Sequence, residues 1–209
     1  MSGRRRRPEK PERRPGSADG RERPEVGRAF VAVRPPDDVL DAVAAAVEPG
    51  RSVQVGLRWA GSDQWHVTLQ FLGPVSRLAP VVEGLAAAVG ERAAFPLRLG
   101  GAGAFPKPGR ARVVWIGAAS GGEELVGLAG AVEGALGPLG YEAEPRPFHP
   151  HLTVARLRVP DDVGAVLAAL GPEAVGEAFT VGEVLLYESR LSPSGSTYSV
   201  LERFPLRNA

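Results

Sequence analysis

Residues 65–71 read Trp-His-Val-Thr-Leu-Gln-Phe. Trp65, Val67, Leu69 and Phe71 share one parity; His66, Thr68 and Gln70 share the other. Successive side chains of a strand point to opposite faces, so the pattern predicts a half-buried strand with His66 and Thr68 together on its polar face. Residues 150–154, Pro-His-Leu-Thr-Val, repeat the device, with His151 and Thr153 on one face and Leu152 and Val154 on the other. Two of the chain's three histidines are therefore each followed by a threonine at the second position. The copies stand 85 positions apart, close to half of the chain beyond its N-terminal segment. That spacing predicts two related lobes, each giving one strand to a shared cleft.

Working outward, Ala29 to Val33 is a short apolar run ended by Pro35 and Pro36, as a strand would be. Asp37 and Asp38 then open a helical pattern on Val39, Val43 and Val47, with the acids placed to complement the helix dipole. Apolar spacing predicts further helices over 77–90, 123–138 and 161–170. Strands are predicted near 53–59, 65–71, 95–102, 112–117, 150–157, 180–188 and 197–204. The class is α+β: a two-lobed, pseudo-symmetric arrangement of mixed or antiparallel sheets with helices outside and a central cleft. Gly100, Gly101 and Gly103 lack the strand–turn–helix setting of a nucleotide-cofactor loop, so none is expected there.

Composition bounds the rest. There are no cysteines, which excludes disulfides and thiolate metal sites. No apolar run reaches the roughly 18–20 residues that span a bilayer, and a cytoplasmic monomer without membrane attachment is expected. Residues 1–27 hold nine Lys or Arg against five Asp or Glu, with four prolines and four glycines, and are read as a disordered basic tail. The single two-lobed domain is expected to occupy 28–209, and deleting 1–27 to leave it intact. That domain has 16 basic and 19 acidic side chains, so any nucleic-acid affinity must come from a local patch.

Two imidazoles facing each other across a cleft suit general acid–base chemistry, where one takes a proton from an attacking hydroxyl and the other gives one to a leaving oxygen. Thr68 and Thr153, on the same faces, can donate hydroxyl hydrogen bonds to an oxygen on which negative charge builds. Two other readings remain open. His149 and His151 form a His-x-His pair that His66 could complete as a metal site. The chain could also be a noncatalytic RNA-binding module.

Five blocks of the chain resemble the two-histidine (2H) phosphoesterases, and within them the bacterial RNA 2′,3′-cyclic phosphodiesterases, also called 2′-5′ RNA ligases. They are RAFVAVRPP at 28–36, HVTLQFLG at 66–73, RVVW at 112–115, RPFHPHLTVAR at 146–156 and YESRLSPSGSTYSVLERFPL at 187–206. The resemblance implies a metal-free and cofactor-free enzyme acting on RNA ends or small nucleoside 2′,3′-cyclic phosphates. It makes His66 the proton donor and His151 the proton acceptor, makes a phosphate the group that Thr68 and Thr153 bind, releases the 3′ oxygen to leave a 2′-phosphomonoester, and allows ligation as the reverse reaction. Arg112 and Arg146 lie inside family-like blocks and are candidates to hold RNA. Strict alternation would point Arg156 away from His151.

Overall fold

The computed structural model describes residues 24–142, 144–192 and 195–208. Most of the basic tail read from the sequence lies outside them. The chain alternates β1 (Val26–Val33), α1 (Asp37–Arg51), β2 (Leu57–Trp59), β3 (Val67–Val75), α2 (Leu78–Gly90), β4 (Phe95–Phe105) and β5 (Ala111–Ser120). It continues with α3 (Gly122–Leu136), β6 (Leu152–Asp161), α4 (Gly164–Leu170), β7 (Ala174–Val181), β8 (Glu183–Ser192) and β9 (Gly195–Pro205). No helix among the described residues is long and apolar enough to cross a membrane.

The strands run in the order β7-β4-β5-β6-β3-β1-β8-β9, with β2 added beside β6. Every ladder between these strands is antiparallel, one of the two arrangements that the alternation of elements left open. At the centre β3 and β6 meet through one register pair, Val67 with Leu152. The sheet is thus two four-stranded halves in mirrored order, β9-β8-β1-β3 and β6-β5-β4-β7, hinged where the two His-x-Thr motifs begin. Helices α2 and α3 cover the first half, and α1 and α4 the second.

One apolar core lies beneath the helices and runs through both halves; Val31, Val33, Val67, Leu69, Leu152 and Val154 are among its buried members. Strand β1 is buried on both faces. Its Phe30 and Ala32 point away from the helices and join Leu185 and Tyr187 of β8 in a second, smaller cluster. That explains why Phe30 to Val33 reads as an unbroken apolar run rather than an alternating one.

Strand β1 starts at Val26, two residues before the expected domain boundary. Val26 is buried against the core, and the Glu25 carboxylate accepts the Leu78 N–H at 2.8 Å, satisfying a free amide at the start of α2. A deletion ending at Gly27 is therefore expected to cost stability rather than to be neutral. Losing Val26 burial alone is worth about 1.5–3 kcal/mol, and each kcal/mol lowers Tm by roughly 2–4 °C at this size. A deletion ending at Arg23 removes none of these contacts and is expected to melt like the full chain. Equal melting of the two truncations by circular dichroism would refute this boundary.

Strand β2 covers only the last three residues of the segment expected at 53–59. Strand β7 was not expected. It lies beside β4 alone, and apart from Val175 and Val181 its residues are at most half-buried, so it has no clean alternation to read.

Candidate active site

Residue-for-residue continuation of the Val67–Leu152 register, one step each way, sets His66 across from Thr153 and Thr68 across from His151. Directly opposed residues of antiparallel strands share a face of the sheet. Val67 and Leu152 point into the core, so the four polar side chains share the opposite, open face and are half-buried there. The two motifs form an antiphase pair: each histidine faces the other motif's threonine.

Both rings are anchored in the same way. The carbonyl of His149 accepts a hydrogen bond from Nδ1 of His151 at 2.7 Å, and the carbonyl of Gln64 takes one from the His66 ring. In each case the acceptor lies two residues before the histidine. A carbonyl can only accept, so His151 carries hydrogen on Nδ1 and its Nε2 is left for chemistry.

Each ring is also braced by aromatic neighbours from its own half. His66 stacks on Phe30 at 4.7 Å between centroids and meets Tyr198 edge-on at 5.2 Å. His151 meets Phe105 edge-on at 5.0 Å and lies 6.3 Å from Trp115, which also contacts His149. Gly103 makes room for the Trp115 indole, since a Cβ there would run into the ring.

Burial makes protonation of these rings costly. It is the main reason that His66 is lowered from 6.5 to about 4; the Gln64 carbonyl opposes the shift, while the charges of Arg156 and His151 add to it. His151 is lowered for the same leading reason, helped by His149 and Arg156 and opposed by its own carbonyl partner and Glu144.

Arg156 is the main correction to the residue reading. In the β6–β5 ladder Val114 pairs with Ala155 but Trp115 pairs with Thr153, so Val154 is an extra residue on β6. This bulge buries Val154 and Ala155 in succession and returns Arg156 to the face of His151, where its charge acts on both histidines. Strand β3 does the same. Val31 of β1 pairs with Gln70 but Ala32 pairs with Thr68, so Leu69 is extra. Leu69 and Gln70 are buried in succession, and Phe71, expected in the core, is 55% exposed.

Set side by side, His-Val-Thr-Leu-Gln-Phe and His-Leu-Thr-Val-Ala-Arg are one six-residue device with a bulge at the fourth position. The signal for Arg156 was this equal spacing, and strict alternation hid it.

Arg112 is exposed and donates to the Arg158 carbonyl at 3.2 Å. Arg146 is exposed on the segment leading to His149. The metal reading of His66, His149 and His151 is not assembled: among the described residues no three His, Asp or Glu side chains converge to hold an ion.

Known proteins are similar to this chain in sequence and in fold. A family model described as the 2′-5′ RNA ligase superfamily matches residues 30–192, and the chain belongs to that superfamily. An RNA 2′,3′-cyclic phosphodiesterase of Aeropyrum pernix is 36% identical over 156 residues, covering 70% of this chain and 85% of the relative. A solved structure from Thermus thermophilus superposes with a TM-score of 0.72 at 31% identity, covering 87% of this chain and 98% of the other. Escherichia coli LigT, solved in complex with 3′-AMP, superposes with a TM-score of 0.66 at 28% identity, covering 87% and 99%.

Proposed function

We propose that this chain hydrolyses RNA 2′,3′-cyclic phosphate ends to 2′-phosphomonoesters, with His66 as proton donor and His151 as proton acceptor. The observation that carries the reading is the antiphase pairing of the two His-x-Thr motifs about Val67 and Leu152. A phosphate seated between the motifs has an imidazole on each side and a threonine hydroxyl beside each imidazole. His151 takes a proton from water as its oxygen bonds to phosphorus, and His66 gives one to the ribose 3′ oxygen as its bond to phosphorus breaks. Thr68, Thr153 and the Arg156 charge stabilise the charge that builds on the nonbridging oxygens. Ligation through a 2′-5′ linkage is the same path with a ribose 5′-hydroxyl in place of water: its oxygen bonds to phosphorus, its proton goes to His151, and the 3′ oxygen leaves with a proton from His66.

The acid–base pair calls for no metal or cofactor. Both motifs come from one chain, which supports a monomer, and an RNA substrate supports a cytoplasmic location without membrane attachment.

The reading is tested by ³¹P NMR of adenosine 2′,3′-cyclic phosphate incubated with the protein and excess chelator. Conversion to the 2′-monophosphate is expected. A 3′-monophosphate product would reverse the seating of the substrate between the histidines. Activity that needs added zinc would overturn the metal-free mechanism, and binding without turnover would return the chain to an RNA-binding role. Thr68→Ala and Thr153→Ala are each expected to lower kcat/KM by about 1.5–3 kcal/mol of transition-state binding, the range for a hydrogen bond to a charged group. Unchanged kinetics in both variants would make the threonines structural.

A further inference from the structure

Strand β6 is edged on one side by β5 and on the other first by β3, at Leu152, and then by β2, at Ala155, Arg156 and Leu157. The Ala60 N–H donates to the Val154 carbonyl at 2.9 Å and fills the step between those two partners. Strand β2 therefore extends the first motif's side of the cleft past the point where β3 leaves it. Its Leu57 and Trp59 pack on the apolar core, and so do Leu157 and Ala155 opposite them. Arg58 and Arg156, directly opposed between these two pairs, consequently share the open face that carries the histidines.

Opposed side chains of antiparallel strands stand about 4.5–5.5 Å apart at Cβ, and two like charges placed there work against folding. No carboxylate relieves them: among the described residues neither Arg58 nor Arg156 has an ion-pair partner, whereas Arg34, Arg51, Arg190 and Arg203 each have one. Both are exposed. Two guanidiniums held side by side at a cost, next to a centre built for one phosphate, have the chemistry to hold a second.

We propose that Arg58 marks a second phosphate subsite, which holds the phosphate on the 5′ oxygen of the terminal ribose while the cyclic phosphate of that ribose lies between the histidines. This rests on the reading of the site as one for 2′,3′-cyclic phosphates and names the substrate class it favours: nucleotides that carry phosphate on both sides of the ribose, as the terminal nucleotide of an RNA chain does. Arg156, whose charge acts on both histidines, serves the reacting phosphate. Arg58, one strand further out, meets the next charge along the chain. A free 5′-phosphate and an internal phosphodiester each offer two nonbridging oxygens to a guanidinium fork, so the subsite accepts either.

The test compares wild type, Arg58→Gln and Arg58→Lys on three substrates: adenosine 2′,3′-cyclic phosphate, its 5′-phosphorylated form, and the dinucleotide ApA ending in a 2′,3′-cyclic phosphate. In wild type, KM for the two substrates with a 5′ phosphate is expected to lie about 10-fold or more below that for the first, the low end for a hydrogen bond to a charged group. Arg58→Gln should remove that advantage and Arg58→Lys keep most of it, with KM for adenosine 2′,3′-cyclic phosphate little changed. The slope of log kcat/KM against log salt should be steeper by about 0.7 for the substrates with a 5′ phosphate, and the difference should vanish in Arg58→Gln. Because the substitution relieves a like-charge pair, the melting temperature is expected to hold or rise, whereas loss of a merely structural residue would lower it.

Calorimetric binding of adenosine 2′,5′-bisphosphate and of adenosine 2′-monophosphate completes the test without requiring turnover. Wild type should prefer the bisphosphate, and Arg58→Gln should bind the two alike. A preference that survives the substitution, or an equal loss on both ligands, would overturn the subsite while leaving the histidine mechanism standing; the equal loss would mean that Arg58 and Arg156 share one phosphate. A gain shown by the dinucleotide alone would also overturn it, since the upstream nucleoside and not the phosphate would then be what is recognised. A wild type that selects the bisphosphate through Arg58 but turns over none of the cyclic substrates would overturn the mechanism and leave the subsite.

Discussion

His66→Ala and His151→Ala are each expected to lower kcat by about 10²–10⁴, the contribution of one positioned acid or base. The expectation follows from how completely each ring is held. A backbone carbonyl two residues upstream anchors each imidazole, and aromatic rings from its own half of the sheet brace it. In the proposed reaction one histidine gives and the other takes a proton at the same phosphate, so losing either leaves the other without a partner. The double variant should therefore fall far short of the product of the single losses. His66→Ala also removes a ring stacked on Phe30, so a melting curve belongs beside the kinetics. A variant that melts like wild type and has lost activity has lost chemistry. Near wild-type turnover in either single variant would take that histidine out of the reaction.

The site's polar centre was legible in the sequence because alternation holds there. Trp65, Val67 and Leu69 are buried, and His66 and Thr68 share the other face, as the period of two requires. It fails three residues beyond each histidine, where Leu69 and Val154 are bulged. A bulge is set by how a strand fits its neighbour across the sheet, and no property of an isolated strand announces it. That is why Phe71 was assigned to the core and Arg156 to the far face.

The fold divides in the same way. The four helices were legible because their apolar spacing is regular: Val81, Leu85 and Val89 in α2, and Leu125, Leu128, Val132 and Leu136 in α3, are all buried. Strand direction was not. A helix between two strands allows either a parallel crossover or an antiparallel return, and the choice rests on contacts between halves that are distant in sequence. The start of the domain was hidden for another reason. Val26 is a lone apolar residue at the end of a charged stretch, and its burial follows from pairing with Val75.

The rate should fall steeply as pH rises, and the fall should begin on the acid side of the ordinary imidazole value. The proposed reaction needs one proton on the histidine pair: on His66 to be given, with His151 free to accept. In the free protein burial lowers both rings, His66 to about 4, so both are neutral at pH 7 and the productive form is a minor one. Because kcat/KM reports the free enzyme, it should be bell-shaped with both limbs below 6.5, as values belonging to the coupled pair. Above the upper limb it should drop about tenfold per pH unit, so that roughly 100-fold is lost between pH 6.5 and 8.5.

A bound phosphate anion favours protonated imidazole and works against the depression, so the limbs of kcat should lie at higher pH than those of kcat/KM. Removing the Arg156 charge with Arg156→Gln should move the limbs of kcat/KM upward as well, since that charge helps hold both rings neutral. Stability responds in the same region. A histidine lowered by folding leaves stability unaffected above 6.5 and costs stability as pH falls through the window from 6.5 towards about 4, where the unfolded chain takes up the proton and the folded chain resists it. Rate profiles should therefore be paired with melting curves across that window. An alkaline limb of kcat/KM above 6.5 would show that the rings are not desolvated in solution as they are in this structure. A profile flat from pH 5 to 8 would remove the histidine pair from the rate-determining chemistry.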